Sequence, residues 1–382
     1  MLKKQLVNIN SVKIQNRKLV FEELIHTDIT TRLELTRKTN LSAATVSSIV
    51  EDFVKAGITE ETKDEKVTVG RKPNLLKFSP RQKQMLIIDF SSKYFHYVVK
   101  DLSLATISSY DYTYQKQLTY LQNIELFCKD ICGAIQGMGE EDELIGIGVS
   151  VPGPYNQEQD SIINCLIPEI EGISLQKVLS GCLPSAYPII IDHDVKLAAM
   201  AELERVPDPS YKSIFFMYLG EGVGGASAAG NEIYEGANHL AGDVGQMIIA
   251  HGTGQNLEQM VSWTEFVRKM EELDGNAVHE LSYAERFKEG DPAVMLELER
   301  IVDYLSSAVI NIAWMFDPHM IIIGGHYNAF GSRFITMISE RLKGRLLKDI
   351  YDKLELRFSH YDEKSTLVGA AIAVRERWID NL

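Results

Sequence analysis

Residues 214–225 read Ile-Phe-Phe-Met-Tyr-Leu-Gly-Glu-Gly-Val-Gly-Gly, a short apolar run that breaks into a glycine turn. An apolar run this short suits a buried strand, because a buried helix needs about ten residues or more. Met85 to Phe90 repeats the pattern and also leads into small residues, Ser91 and Ser92. Further strands fit Leu144 to Val151, Ile189 to Ile191 and Met320 to Ile323, with helical stretches between them such as Thr119 to Gln136 and Asp303 to Phe316. The alternation predicts an α/β body, and the two similar strand-turn openings predict two related halves around a cleft.

Toward the amino terminus the pattern changes. From Asn16, Val20, Phe21, Leu24 and Ile25 form the apolar stripe of a first helix, and Thr31 to Lys38 fits a short second helix with Leu35 inward. Thr39-Asn40-Leu41 makes a turn. Ser42 is then placed to cap a third helix whose Val46, Ile49, Val50 and Phe53 recur at helical spacing, and Gly57 ends it where positive φ costs least.

The outward side of the third helix carries Ser42, Ala43, Ala44, Thr45, Ser47 and Ser48, small residues that let a helix enter a major groove closely. Thr31 and Arg32 open the second helix beside it. Strands at Ile58 to Glu60 and Leu75 to Phe78 flank a loop ending Gly70-Arg71-Lys72-Pro73, a wing whose Arg71 and Lys72 suit a minor groove. Residues 1–80 are therefore expected to form a winged helix-turn-helix rather than a three-helix module that binds another protein.

Charge agrees with that division. The 382-residue chain has a formal charge of -14, yet residues 1–77 hold 14 Lys and Arg against 10 Asp and Glu, so the excess of cations suited to phosphate lies at this end. Hydrophobic residues make up 45%, enough for a substantial core in two or three domains. No apolar run approaches the roughly 18 residues of a membrane span, and the start lacks the apolar centre of a signal peptide. Cys128, Cys132, Cys165 and Cys182 form no Cys-x-x-Cys pair, which together suggests a reducing cytoplasm.

Four stretches of the body are more specific: IGIGVSVPGPYN at 145–156, IDHDVKLAAMAE at 191–202, LGEGVGGASAAGNEIYEGANHLAGDVGQM at 219–247 and DPHMIIIGG at 317–325. With the amino-terminal module they resemble the ROK family of repressors and sugar kinases, in its xylose-repressor and N-acetylglucosamine-repressor branch. The resemblance implies an actin-like, hexokinase-like body of two lobes, expected at 81–192 and 193–382, closing over a sugar. It places Asp194 where family kinases keep the aspartate that deprotonates the sugar hydroxyl, with His193 in place of the usual Asn. Asp243 and Gln246 take the acidic and histidine places of the Ala-Gly-Glu-x-Gly-His pattern. Glu258 matches a second sugar-contacting carboxylate, Gly153 a tight loop against the sugar, and Glu169 an edge contact. The residue types suit the ligand, since carboxylates and amides satisfy sugar hydroxyls; Asp194, His193 and Glu258 equally suit the first turns of helices.

Where the family's kinases hold ATP, the chain departs from the pattern. Asp89-Phe90-Ser91-Ser92-Lys93 replaces Asp-x-Gly-Gly-Thr, and Gly220-Glu221-Gly222 puts a carboxylate where phosphates would lie. The family's zinc site, built from a histidine and three cysteines, is matched by Gln246 and by Ile249 to Asn256, which keep one histidine, His251, and no thiolate; no structural metal is expected. The expectation is a repressor of carbohydrate-utilisation genes: cytoplasmic, without enzyme activity or cofactor, a homodimer or higher oligomer on a palindromic, AT-rich operator, with a sugar as effector. Two other readings stay open, an ATP-dependent sugar kinase with a regulatory DNA-binding domain and a repressor controlled by a protein partner.

Overall fold

The computed structural model describes residues 9–27, 29–63, 74–91, 94–139, 142–163, 167–206, 213–230, 232–250, 252, 254–275, 281–361 and 364–382. Contacts divide the chain into two units, 1–149 with 175–191 and 370–382, and 150–174 with 192–369.

The first unit opens with α1 (Ile9–Ile25), β1 (Ile29–Thr30), α2 (Arg32–Thr39), α3 (Ala43–Lys55), β2 (Thr59–Lys63) and β3 (Asn74–Phe78). The three strands form one antiparallel sheet in the order β1-β3-β2. Local chemistry sets the boundaries. Thr31 caps α2 in a capping box with Glu34, Asn40 takes a left-handed conformation (φ 56°) after it, and Ser42 accepts from the Thr45 amide to start α3. The predicted stripe Val46, Ile49, Val50 and Phe53 is buried, as are Val20, Phe21, Leu24 and Leu35. Arg71 and Lys72 lie outside the described residues.

The same unit continues with β4 (Lys83–Phe90), β5 (Tyr94–Asp101), β6 (Thr106–Thr113), α4 (Tyr120–Gln136) and β7 (Glu143–Val151). After the two-stranded ribbon β8 (Tyr155–Asn156) and β9 (Ser161–Ile162) of the second unit come α5 (Leu175–Cys182) and β10 (Ile189–His193). The sheet runs β10-β7-β4-β5-β6, with β4, β5 and β6 antiparallel. Phe90, Phe95 and Phe127 pack edge-on and tilted at its core.

The second unit holds α6 (Asp194–Glu204), β11 (Ser213–Leu219), β12 (Val223–Ala229), β13 (Glu232–Ile233), β14 (Ile248–Ala250), β15 (Gln255–Asn256), α7 (Leu257–Val261), α8 (Trp263–Asp274), α9 (Tyr283–Glu289), α10 (Pro292–Phe316), β16 (Met320–Gly325), α11 (Ser332–Leu342), α12 (Lys348–Tyr351) and β17 (Glu355–Phe358). Its sheet runs β13-β12-β11-β16-β17, antiparallel at β12 and β13 and parallel at β16 and β17. Read from its first strand outward, this is the strand order of the first sheet again, so the two halves share one topology.

Both faces of the second sheet are covered, as the unbroken apolar reading of β11 requires. Phe215, Met217 and Leu219 face the cluster built on α7, α8 and α10, while Ile214 and Phe216 face Val195, Ala198 and Ala199 of α6. The last helix, α13 (Ser365–Asp380), crosses the division between the units at Gly369 and Ala370. Among the described residues no helix is long and apolar enough to cross a membrane.

Candidate functional site

Within the second unit, β10 ends at His193 and α6 begins at Asp194, so both side chains stand at one strand-to-helix junction. The Asp194 carboxylate (Oδ1) accepts from the Val195 amide at 2.6 Å and lies 3.1 Å from His193 Nε2. Across from them, the loop 241–246 packs directly on β12. A Cβ on Gly245 would lie 2.0 Å from the Val223 carbonyl oxygen, and Gly242, at φ 94°, would bring one to 2.5 Å from that of Gly225. Glycine is thus required at both places, and the backbone contact positions Asp243 between them. Asn256 caps α7 with Gln259, which fixes Glu258 in the first turn; its Oε2 accepts from the Val223 amide at 2.9 Å.

These side chains line one cavity of about 100 Å³, together with Pro152, Gly153, Pro154, Val195, Tyr218, Gly222, Val223 and Gly224. Its lining holds three carboxylates, Asp194, Asp243 and Glu258, one histidine, and neither Lys nor Arg. Acceptors together with proline, valine and aromatic carbon in one lining suit a small ring that carries both hydroxyls and C–H bonds. Just beyond, Lys196 is 2% exposed, 3.5 Å from Glu235 and 4.0 Å from Asp192. Burial pushes the Asp192 carboxyl above the usual carboxylate range, with Lys196 opposing that shift.

Of the residues expected at a sugar, Gly153, His193, Asp194, Asp243 and Glu258 meet in this lining. Gln246 is exposed and accepts from Asn256 Nδ2 at 3.1 Å, and Glu169 is exposed; neither is part of the lining. Sequence reasoning missed Tyr218. Its ring lies over the glycine turn: a Cβ on Gly220 would be 2.3 Å from Tyr218 Cε1 and 2.7 Å from its hydroxyl. The available signal was the large side chain two residues before Gly220 on a strand, which returns it to the same face. A larger cavity of about 970 Å³ lies elsewhere in the unit, between Trp263, Tyr283, His326 and Tyr361, and contains none of the expected sugar residues. Among the described residues no group of three or more His, Cys, Asp or Glu is placed to hold a metal ion; His251 lies outside them.

On the amino-terminal module, Ser42, Ala43, Ala44 and Ser48 are exposed and Thr45 and Ser47 half-buried, so the start of α3 presents a small-residue surface. Thr31 is engaged as a cap. Arg32 is engaged too: it donates to both oxygens of Glu61 (3.3 and 3.0 Å) and to the Ser47 carbonyl (3.2 Å), with Glu51 at 3.8 Å. The Arg32 hydrogen bond holds the Glu61 carboxyl below its ordinary value. Arg32 therefore ties α2 to α3 and the sheet.

Two α/β units with one shared strand order, and an acid-lined cavity at a strand-to-helix junction, define a mixed α/β protein of the actin-like class. The chain belongs to the ROK family, whose sequence pattern matches residues 88–377. It is similar to a xylose repressor of Caldicellulosiruptor bescii, 21% identical over 96% of this chain and 97% of the repressor. Its fold matches the solved structure of a ROK family transcriptional regulator, a homologue of the E. coli MLC protein, with TM-score 0.80 and 18% identity over 97% of both chains. It also matches a ROK family glucokinase from Streptomyces griseus in complex with glucose and AMPPNP, with TM-score 0.63 and 18% identity, over 76% of this chain and 98% of the kinase.

Proposed function

We propose that the chain is a sugar-responsive transcription repressor of carbohydrate-utilisation genes, acting in the cytoplasm as a homodimer or higher oligomer. Residues 1–80 are read as a winged helix-turn-helix, with α3 in the major groove of a palindromic operator and Arg71 and Lys72 at a wing tip. The carrying observation is that likeness to a repressor spans both the amino-terminal module and the body, whereas the glucokinase covers about three quarters of the chain. The sugar is held by His193, Asp194, Asp243 and Glu258 beside Gly153.

The ligand is bound without being phosphorylated. Tyr218 fills the space over Gly220, and Glu221 stands in the same turn, which opposes phosphates there by steric exclusion and by charge. Band shift with the protein's operator, titrated with free sugars, tests the reading: DNA binding that a sugar changes supports it. Robust ADP release with a sugar and ATP would instead make the protein a kinase with a regulatory domain.

A further inference from the structure

The module that carries α3 is fastened to the last helix of the chain. On α13, Arg375 is 3% exposed, its guanidinium stands 5.4 Å from the centre of the Phe21 ring, and its Nη1 donates to the Leu102 carbonyl at 3.2 Å. One turn before Phe21 on α1, Lys18 donates to Glu376 at 2.9 Å and lies 3.6 Å from Asp380. Phe21 in turn sits edge-on to Phe53 of α3, at 6.2 Å, and to Phe78 of β3, at 5.9 Å. One ring thus touches the cation of α13, the groove-reading helix and the strand behind the wing. Burying a guanidinium is expensive unless its partners are fixed. This contact is therefore a built junction, unlike a flexible tether.

The other end of α13 meets the helix that begins with Asp194. A Cβ on Gly369 would lie 1.7 Å from the Leu197 carbonyl oxygen and 2.3 Å from its carbon, so the two backbones touch with no side chain between them. A displacement of α6 has no soft side chain there to absorb it.

We infer that Arg375, supported by Lys18, is the residue that couples α13 to α3, and that the state of α6 at the sugar cavity is read out along this helix. The inference rests on the sugar-responsive reading and adds its route. Each link is a packed contact; what makes it a route is energetic coupling, which is measurable.

The test uses the full chain and a duplex of about 30 base pairs selected from random sequence by the wild-type protein, long enough for two half-sites. Coupling between sites is reciprocal, so DNA binding is expected to change amide hydrogen exchange in 194–204. R375M is expected to keep DNA affinity within about threefold while losing that change, and R375K, which retains a cation over Phe21, to restore it. K18M, at a more exposed position, reads the same coupling should R375M fold poorly, and is expected to weaken it. A merely structural role would lower stability and DNA affinity together without abolishing the exchange response selectively. Persistence of the wild-type response in both variants overturns the inference. So does a wild-type protein that binds DNA with no response in 194–204, a result that leaves the repressor reading intact. A wild-type protein that binds no DNA removes that reading and the inference with it.

Discussion

Glu258 anchors the Val223 amide and is proposed to contact the sugar, and substitution tests each role. Its carboxylate accepts from the Val223 amide, and Val223 is 3% exposed, so Glu258→Ala leaves a buried N–H without its acceptor. That loss costs about 1–3 kcal/mol. For a folding unit of this size each kcal/mol lowers Tm by about 2–4 °C, so a fall on the order of 2–12 °C is expected. Glu258→Gln keeps an acceptor and gives up only the charge assistance, about 1 kcal/mol or less. Its Tm should stay within about 4 °C of wild type. Toward a sugar hydroxyl, Glu258→Ala removes a charged acceptor worth about 1.5–3 kcal/mol, weakening binding roughly tenfold to a hundredfold, whereas Glu258→Gln gives up about 1 kcal/mol or less, up to about fivefold. Thermal unfolding with and without sugar, followed by calorimetry, reads both quantities. An alanine variant that melts at the wild-type temperature refutes the anchoring of Val223; an alanine variant with full sugar affinity refutes the sugar contact.

Asp194→Ala should abolish the sugar response of DNA binding and leave DNA affinity within about threefold, since Asp194 lines the cavity and the proposed groove-reading residues Ser42 to Ser48 lie at the start of α3; equal sugar titration curves for variant and wild type would contradict this. Gly245→Ala drives a methyl against the Val223 carbonyl and should cost about 1–3 kcal/mol or more by thermal unfolding, with loss of sugar binding. The Glu61 carboxyl is held low by Arg32, so its stabilising contribution is complete above the ordinary glutamate value, about 4.3, and fades as pH falls through its lower folded value. The stability gap between wild type and Glu61→Gln should accordingly narrow below about pH 4, as followed by denaturant titration across pH. Burial pushes the Cys128 thiol well above its ordinary value and raises Cys132 as well, so both should react slowly with a thiol reagent at neutral pH and quickly after unfolding.

Much of the fold was written in periodicity. The α3 stripe, the run from Met85 and the run from Ile214 all became the expected elements, because each buries its apolar positions on the faces the pattern implied. The helix expected from Asp303 instead begins at Pro292, capped by Asp291, a cap-and-proline signal that the search for apolar period passed over. Val223 to Ala229 forms a strand despite its glycine and alanine content, because Gly225 and its neighbours must let the 241–246 loop approach; tertiary packing overrides propensity there. Nothing local could show that 370–382 joins the first unit, since that contact is made only in three dimensions. At the cavity, the family resemblance pointed to Asp194, Asp243 and Glu258, whereas the Tyr218 ring over Gly220 depends on a side-chain direction that only the fold supplies.

The central claim is that one chain reads DNA and answers to a sugar. Fluorescence anisotropy of the selected operator duplex, measured at low salt where phosphate contacts are strongest and titrated with free pentoses, hexoses and N-acetylhexosamines, tests it directly. The account predicts saturable DNA binding whose affinity one sugar shifts by about fivefold or more. Absence of DNA binding under these conditions, or an affinity that no sugar moves, would contradict it.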